Sequence, residues 1–207
     1  MTANDYSTAA RALARRDRVM ANLIKHTAPF RLPRPAAAHF ATLAESILYQ
    51  QLAGAAAAAI HRRFVGLFAG GLSPEAVLAL PIRKLRAAGL SGTKAASIRD
   101  LAAKIVDGSL ALRRIGRLTD DEVVKTLTVV HGIGRWTAEM FLIFQLRRLD
   151  VWPVDDYGVR KGYALAYRLK ALPTPKELQV AGERFRPYRT VAAWYCWQAV
   201  RAERERT

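Results

Sequence analysis

Helix-start signals recur along this chain, and no stretch shows the apolar alternation of a strand. Ser73-Pro74-Glu75 pairs an N-cap serine with proline in the first turn. Thr119 with Glu122, and Thr174 with Glu177, carry the reciprocal spacing of a capping box, in which two side chains satisfy orphan amides at a helix start. Strand-type alternation bounded by turn residues is missing. The pattern predicts an all-α fold. One helix is expected over Ser7 to Lys25, and the next opens at the prolines of PRPAAAHFATLAESILYQQ and runs to Tyr49. After a break near Gln50 to Gly54 comes an alanine-rich helix expected to be buried, then short helices punctuated by Gly and Pro. RWTAEMFLIFQL is apolar nearly all round and reads as a helix at the centre of the fold. With no long linker and no repeat, residues 1–207 read as one unit of two packed helical lobes.

Composition narrows the partners. Thirty-three Lys and Arg against 17 Asp and Glu give a formal charge of +16, which calls for a polyanion. No apolar run approaches the roughly 20 residues of a spanning helix, and the arginines are spread along the chain, so nucleic acid is favoured over membrane. A single cysteine, Cys196, and four scattered histidines exclude a disulfide and argue against a catalytic metal within the chain. The same composition suits a reducing cytoplasm.

Between two helical stretches stands His131-Gly-Ile-Gly-Arg135. Glycines at 132 and 134 remove the side chains that keep another backbone away. The following helix starts with outward N–H groups, so Gly132, Ile133, Gly134 and Arg135 form a candidate cradle for a phosphate diester. A structural turn between two helices is the alternative reading.

HGIGRWTAEM followed by DVWPVDDYGVRKG resembles the helix-hairpin-helix DNA glycosylase superfamily, in its 3-methyladenine DNA glycosylase II branch. ILYQQLAGAAA, GLSGTKAASIRDLA and FRPYRTVAAWYCW match further segments in the family's order. The resemblance implies a hairpin over about 119–146, a Gly/Pro/Asp loop over about 150–161, and an active-site cleft between the lobes. It implies no extra N-terminal β domain and no cofactor apart from a Na or K ion held by hairpin carbonyls. Its catalytic aspartate falls on Asp156, followed three residues later by aliphatic Val159, with Asp155 as the fallback. Where bifunctional members carry a lysine nucleophile, this chain has Trp136, which implies a monofunctional enzyme; Lys161 does not match that position.

The same likeness places Trp136, Trp197, Met140 and Tyr157 around the base, where aromatic faces attract a cationic alkylated purine. Trp194 and Tyr195 are equally readable as core. Base flipping needs a filler for the vacated stack. The likeness puts this wedge at Gln51 or Leu52 in the turn that also holds Gln50, while Arg135 and Lys94 are candidate phosphate contacts. The implied activity is removal of alkylated bases, chiefly 3-methyladenine and secondarily 7-methylguanine, from double-stranded DNA by a monomer. A cytoplasmic, nucleoid-associated place in a bacterium is expected. The rivals are a non-enzymatic helix-hairpin-helix DNA-binding protein and a same-fold glycosylase for deaminated bases such as hypoxanthine.

Overall fold

The computed structural model describes residues 3–36, 38–52 and 54–206, so Ala37 and Ala53, which fall in stretches read above, lie outside the described residues. Every regular element among the described residues is helical, and none of these helices is long and apolar enough to cross a membrane. The chain divides into two compact units, one formed by residues 1–34 and 142–207 and the other by residues 35–141.

The first unit begins with two helices where one was expected, α1 (Ala3–Arg16) and α2 (Arg18–His26). Asp17 divides them. Its backbone is extended and its carboxylate accepts from Val19 N and Met20 N, both at 2.9 Å. A side chain that competes for amides in this way starts a helix more readily than it continues one. The other carboxylate oxygen accepts from the Tyr167 hydroxyl at 2.8 Å. Burial first, and this anionic partner second, push the Tyr167 phenol above its ordinary range.

In the second unit, α3 (His39–Tyr49) starts past the prolines, which lie in chain without regular structure, since a residue before proline avoids the α region. Phe40, Leu43, Ala44, Ile47 and Leu48 form its buried stripe. Helix α4 (Gly54–Val65) forms over the alanine run but is not the buried helix expected there: Ala57 and Phe64 are buried, whereas Ala55 and Ala56 face solvent. A methyl group offers little area to bury, so helix propensity forms this element and one stripe docks it. The short α5 (Pro74–Ala79, capped by Ser73) and α6 (Ile82–Ala87) lead into α7 (Gly92–Val106), capped by Ser91. A 3₁₀ turn over Leu112–Arg117, unanticipated from sequence, precedes α8 (Asp120–Leu127), where the Thr119/Glu122 capping box is complete. Helix α9 (Arg135–Met140) then widens into a π turn over Phe141–Gln145.

The chain re-enters the first unit within that π turn. After an irregular segment come α10 (Tyr157–Ala166) and α11 (Pro175–Gly182), the latter started by the Thr174/Glu177 capping box. A 3₁₀ turn (Glu183–Phe185) and a cis Arg186–Pro187 bond separate α11 from α12 (Arg189–Arg204). Tyr195, Cys196, Phe185, Leu13 and Met20 are among the fully buried side chains of this unit. Tyr195 is therefore core, and the half-buried Trp194 packs edge-on against Tyr195 and Phe30.

Candidate functional site

In the first unit the irregular segment before α10 is fixed from below. Val151, Trp152 and Pro153 are buried, and Trp152 donates from Nε1 to Leu178 O at 2.8 Å. The fully buried Thr190 hydroxyl accepts from Val151 N at 3.0 Å and donates to Arg148 O at 2.8 Å. Arg189 grips Asp150 through Nε at 2.8 Å. None of these ties was visible in sequence, because each joins residues about 25 to 40 positions apart.

This platform delivers the two aspartates to different surroundings. Asp155 is exposed. Asp156 is half-buried at the N-cap of α10, where its Oδ1 accepts from Val159 N at 2.8 Å and from Trp197 Nε1 at 2.9 Å. Two N–H donors thus fix this oxygen at the start of the helix. The Trp197 ring stacks on Phe144, with centroids 5.9 Å apart and planes inclined by 20°. A Cβ on Gly158 would lie 2.8 Å from Trp197 Cδ1 and 3.1 Å from Asp156 Oδ1, so glycine there lets tryptophan and aspartate meet. The thiol of Cys196, next to Trp197 in the chain, is pushed up by burial and then by the Asp156 charge, which leaves it inert. Tyr157, beside Asp156, is 62 % exposed.

Phe144 escaped sequence reading. It belongs to the apolar run taken as a central helix, and the π turn that sets its orientation has no sequence signature. π turns of this kind often mark functional sites. Met140 is half-buried just ahead of that turn, and Trp136 is 45 % exposed on α9 of the second unit.

The hairpin itself is held by α7. Asp100 accepts from His131 N at 2.8 Å and from Lys104 Nζ at 2.5 Å. Desolvation opposes its charge, but these two donors outweigh it and hold the Asp100 carboxyl below the usual range. The buried Ser97 hydroxyl pairs with His131 Nδ1 at 3.1 Å. Gly132 has φ +83, and a Cβ there would sit 2.4 Å from Ser97 Oγ. Gly134 is the N-cap of α9, and no side chain caps that helix. Arg135 donates from Nε to Glu139 Oε1 at 2.9 Å, and Glu139 is buried.

The turn after α3 lies against the same hairpin. Gln50 Nε2 donates to Gly132 O at 3.0 Å and to Thr137 Oγ1 at 3.4 Å. Lys94, expected as a phosphate contact, instead directs its ammonium to Leu48 O and Gln50 O, each at 2.7 Å. Helix C-terminal carbonyls attract a cation, so the nearest lysine is drawn inward. Its surroundings desolvate it and lower its pKa. Gln51 (φ 55) and Leu52 (38 % exposed) project from this turn.

Gly132→Ala places a side chain in a left-handed conformation and against Ser97. We expect it to destabilise the protein by about 1–3 kcal/mol. Affinity for an abasic-site duplex should fall about tenfold, since a displaced hairpin loses its oriented amides. Thermal denaturation and fluorescence anisotropy measure the two effects, and an alanine variant equal to wild type in both would remove the hairpin from the site.

Residues 44–187 match the family profile described as HhH-GPD superfamily base excision DNA repair protein. The chain is 38 % identical over 159 residues to DNA-3-methyladenine glycosylase 1 of Schizosaccharomyces pombe, covering 75 % of this chain and 70 % of that protein. It is 28 % identical over 207 residues to alkylbase DNA glycosidase-like protein mag2 of the same organism, covering 98 % and 97 %. A solved structure of S. pombe 3-methyladenine DNA glycosylase (Mag1) in complex with abasic DNA superposes with a TM-score of 0.81 at 34 % identity, over 92 % of this chain and 95 % of that one. The all-helical fold, the glycine hairpin and the capped aspartate thus coincide with an extended match of sequence and structure, and this chain belongs to the HhH-GPD superfamily of base excision DNA repair proteins.

Proposed function

We propose that this protein is a monofunctional DNA glycosylase that binds duplex DNA as a monomer, flips out alkylated purines and hydrolyses their N-glycosidic bond, leaving an abasic site. Its substrates on this reading are 3-methyladenine and 7-methylguanine. The observation that carries the proposal is the Asp156 carboxylate, held by Val159 N and Trp197 Nε1 in a chain whose curated relatives include alkyl-base glycosylases.

Positive charge develops on the sugar as the bond to the base lengthens, as it does in glycoside hydrolysis. A carboxylate already fixed by two donors needs no reorganisation to stabilise that charge. The bonding pair leaves with the purine, which becomes neutral. Water, oriented by Asp156, adds at the anomeric carbon and gives up its proton to solvent. Trp197, stacked with Phe144, offers an aromatic face, and a methylated purine carries the cationic charge that such a face attracts. The exposed Tyr157 is the other side chain of this unit that we assign to base recognition.

Two observations favour hydrolysis over a lysine nucleophile. Tryptophan occupies position 136, and the Lys161 side chain is engaged in an ion pair with Glu203 at 2.6 Å. DNA binding then rests on the hairpin and on the +16 charge, which is suited to phosphates. The hairpin also fits a Na or K ion. Its backbone carbonyls are neutral oxygens, and those of Val130 and Gly132 each accept a bond, from Ile133 N and Gln50 Nε2, and retain a second lone pair. Such an ion would add positive charge facing the phosphate.

The test is single-turnover base release from methylated duplex DNA. Free 3-methyladenine should appear while strands stay intact until alkali is added, and borohydride should trap no covalent complex. Tight duplex binding with no release of any alkylated base would replace the enzyme by a DNA-binding protein. Strand cleavage without alkali would overturn the monofunctional assignment.

A further inference from the structure

The turn after α3 has a conformation that its own sequence does not favour. The helix ends without a C-terminal glycine, and Gln51 takes the left-handed region, where a side chain is strained. Two side chains hold the turn in that state. The Lys94 ammonium takes the carbonyls of Leu48 and Gln50, and the Gln50 amide reaches across to Gly132 O at the tip of the hairpin. Helix α7 bears on both places. It carries Lys94 under the turn, and Ser97 and Asp100 under His131. Strain of this kind persists where the surroundings over-determine it. Here it leaves Gln51 and Leu52 projecting into solvent next to a phosphate-binding turn.

We infer that Gln50 and Lys94 are positioning residues, not DNA contacts: they lock the projecting turn to the hairpin, so that grip on the phosphate and insertion into the base stack occur as one movement. The inference rests on the glycosylase reading above. Insertion has to work against base stacking, and a turn free to recoil would yield before the stack does. Fixing it in advance removes the ordering cost at the moment of insertion. The donors involved are spent inside the protein: both Lys94 bonds and both Gln50 bonds end on protein oxygens of the same unit.

The experiment uses the full chain and a duplex carrying a tetrahydrofuran abasic analogue beside 2-aminopurine. Anisotropy reads binding, and 2-aminopurine fluorescence reads insertion. The variants are Gln50→Met and Lys94→Met, close in shape but unable to donate to oxygen. Affinity should change by less than about threefold while the fluorescence phase slows about tenfold, because a small misplacement of a positioned group is costly. Base release from a paired 7-methylguanine should likewise fall about tenfold, and release from the same base left unpaired by less than about threefold. Equal losses of binding and insertion, or unchanged insertion, would overturn the inference. Should Lys94→Met fail to fold, Gln50→Met decides, since its side chain is only half-buried. Wild type that inserts but releases no base would sink the glycosylase reading and leave the coupling standing.

Discussion

Asp156→Asn is expected, on the proposed reading, to lower base release by at least about 10²–10³-fold, the effect of losing one preorganised electrostatic group at a developing charge. Asparagine keeps what the carboxylate does for the fold. Its carbonyl oxygen can still accept from Val159 N and Trp197 Nε1, and asparagine caps a helix about as well as aspartate. The change therefore removes charge and little else. Thermal stability should stay within a few degrees of wild type, and abasic-site affinity within about threefold, since Asp156 faces the sugar and not a phosphate on the proposed reading. Single-turnover release with anisotropy on the same preparations separates these terms. Retention of most of the activity would shift the role to another carboxylate, with the exposed Asp155 next in line.

Gly162→Ala is expected to be the most damaging single methyl group in the first unit. In an ordinary helix interior this change stabilises by roughly 1 kcal/mol. Here a Cβ would lie 1.9 Å from Cys196 O, 2.4 Å from Cys196 C and 2.7 Å from Cys196 Cα. The obstacle is backbone of α12, so no rotamer relieves it, and the helices must separate. Separation opens a core that holds Tyr195, Val159 and Tyr163. The sign therefore reverses, to a loss of about 4 kcal/mol or more, which for a chain of this size lowers Tm by about 10 °C or more. Any folded fraction should also lose activity, because α10 carries Asp156 at its start and α12 carries Trp197 one residue past Cys196. Circular dichroism melting checks this. A Tm within about 3 °C of wild type would show that the two helices part at little cost.

Much of the fold was legible because its determinants are local. Ser73, Thr119 and Thr174 start helices where a capping side chain and its amide lie three residues apart, and Gly132 stands at a position of positive φ. The places that misled were those where local and distant demands compete. Asp17 looked like one residue of a long helix and is its divider, because its carboxylate serves two amides and Tyr167. The alanine run promised burial and supplied a helix that buries one stripe, with Ala55 and Ala56 exposed. Lys94 read as a surface cation and points inward to two carbonyls.

The amino-acid sequence by itself determined the helical class, the capped helix starts, the glycine hairpin and the aspartate that opens α10, since each depends on residues within a few positions of one another. Tertiary structure alone decided which oxygen of Asp156 is bound and by which tryptophan, that Phe144 stacks on that tryptophan, and that Gln50 and Lys94 serve the protein's own carbonyls. These contacts join residues 41 to 82 positions apart, or about 50 in the ring pair. Their energies depend on distances of a few tenths of an ångström, which spacing along a chain does not encode.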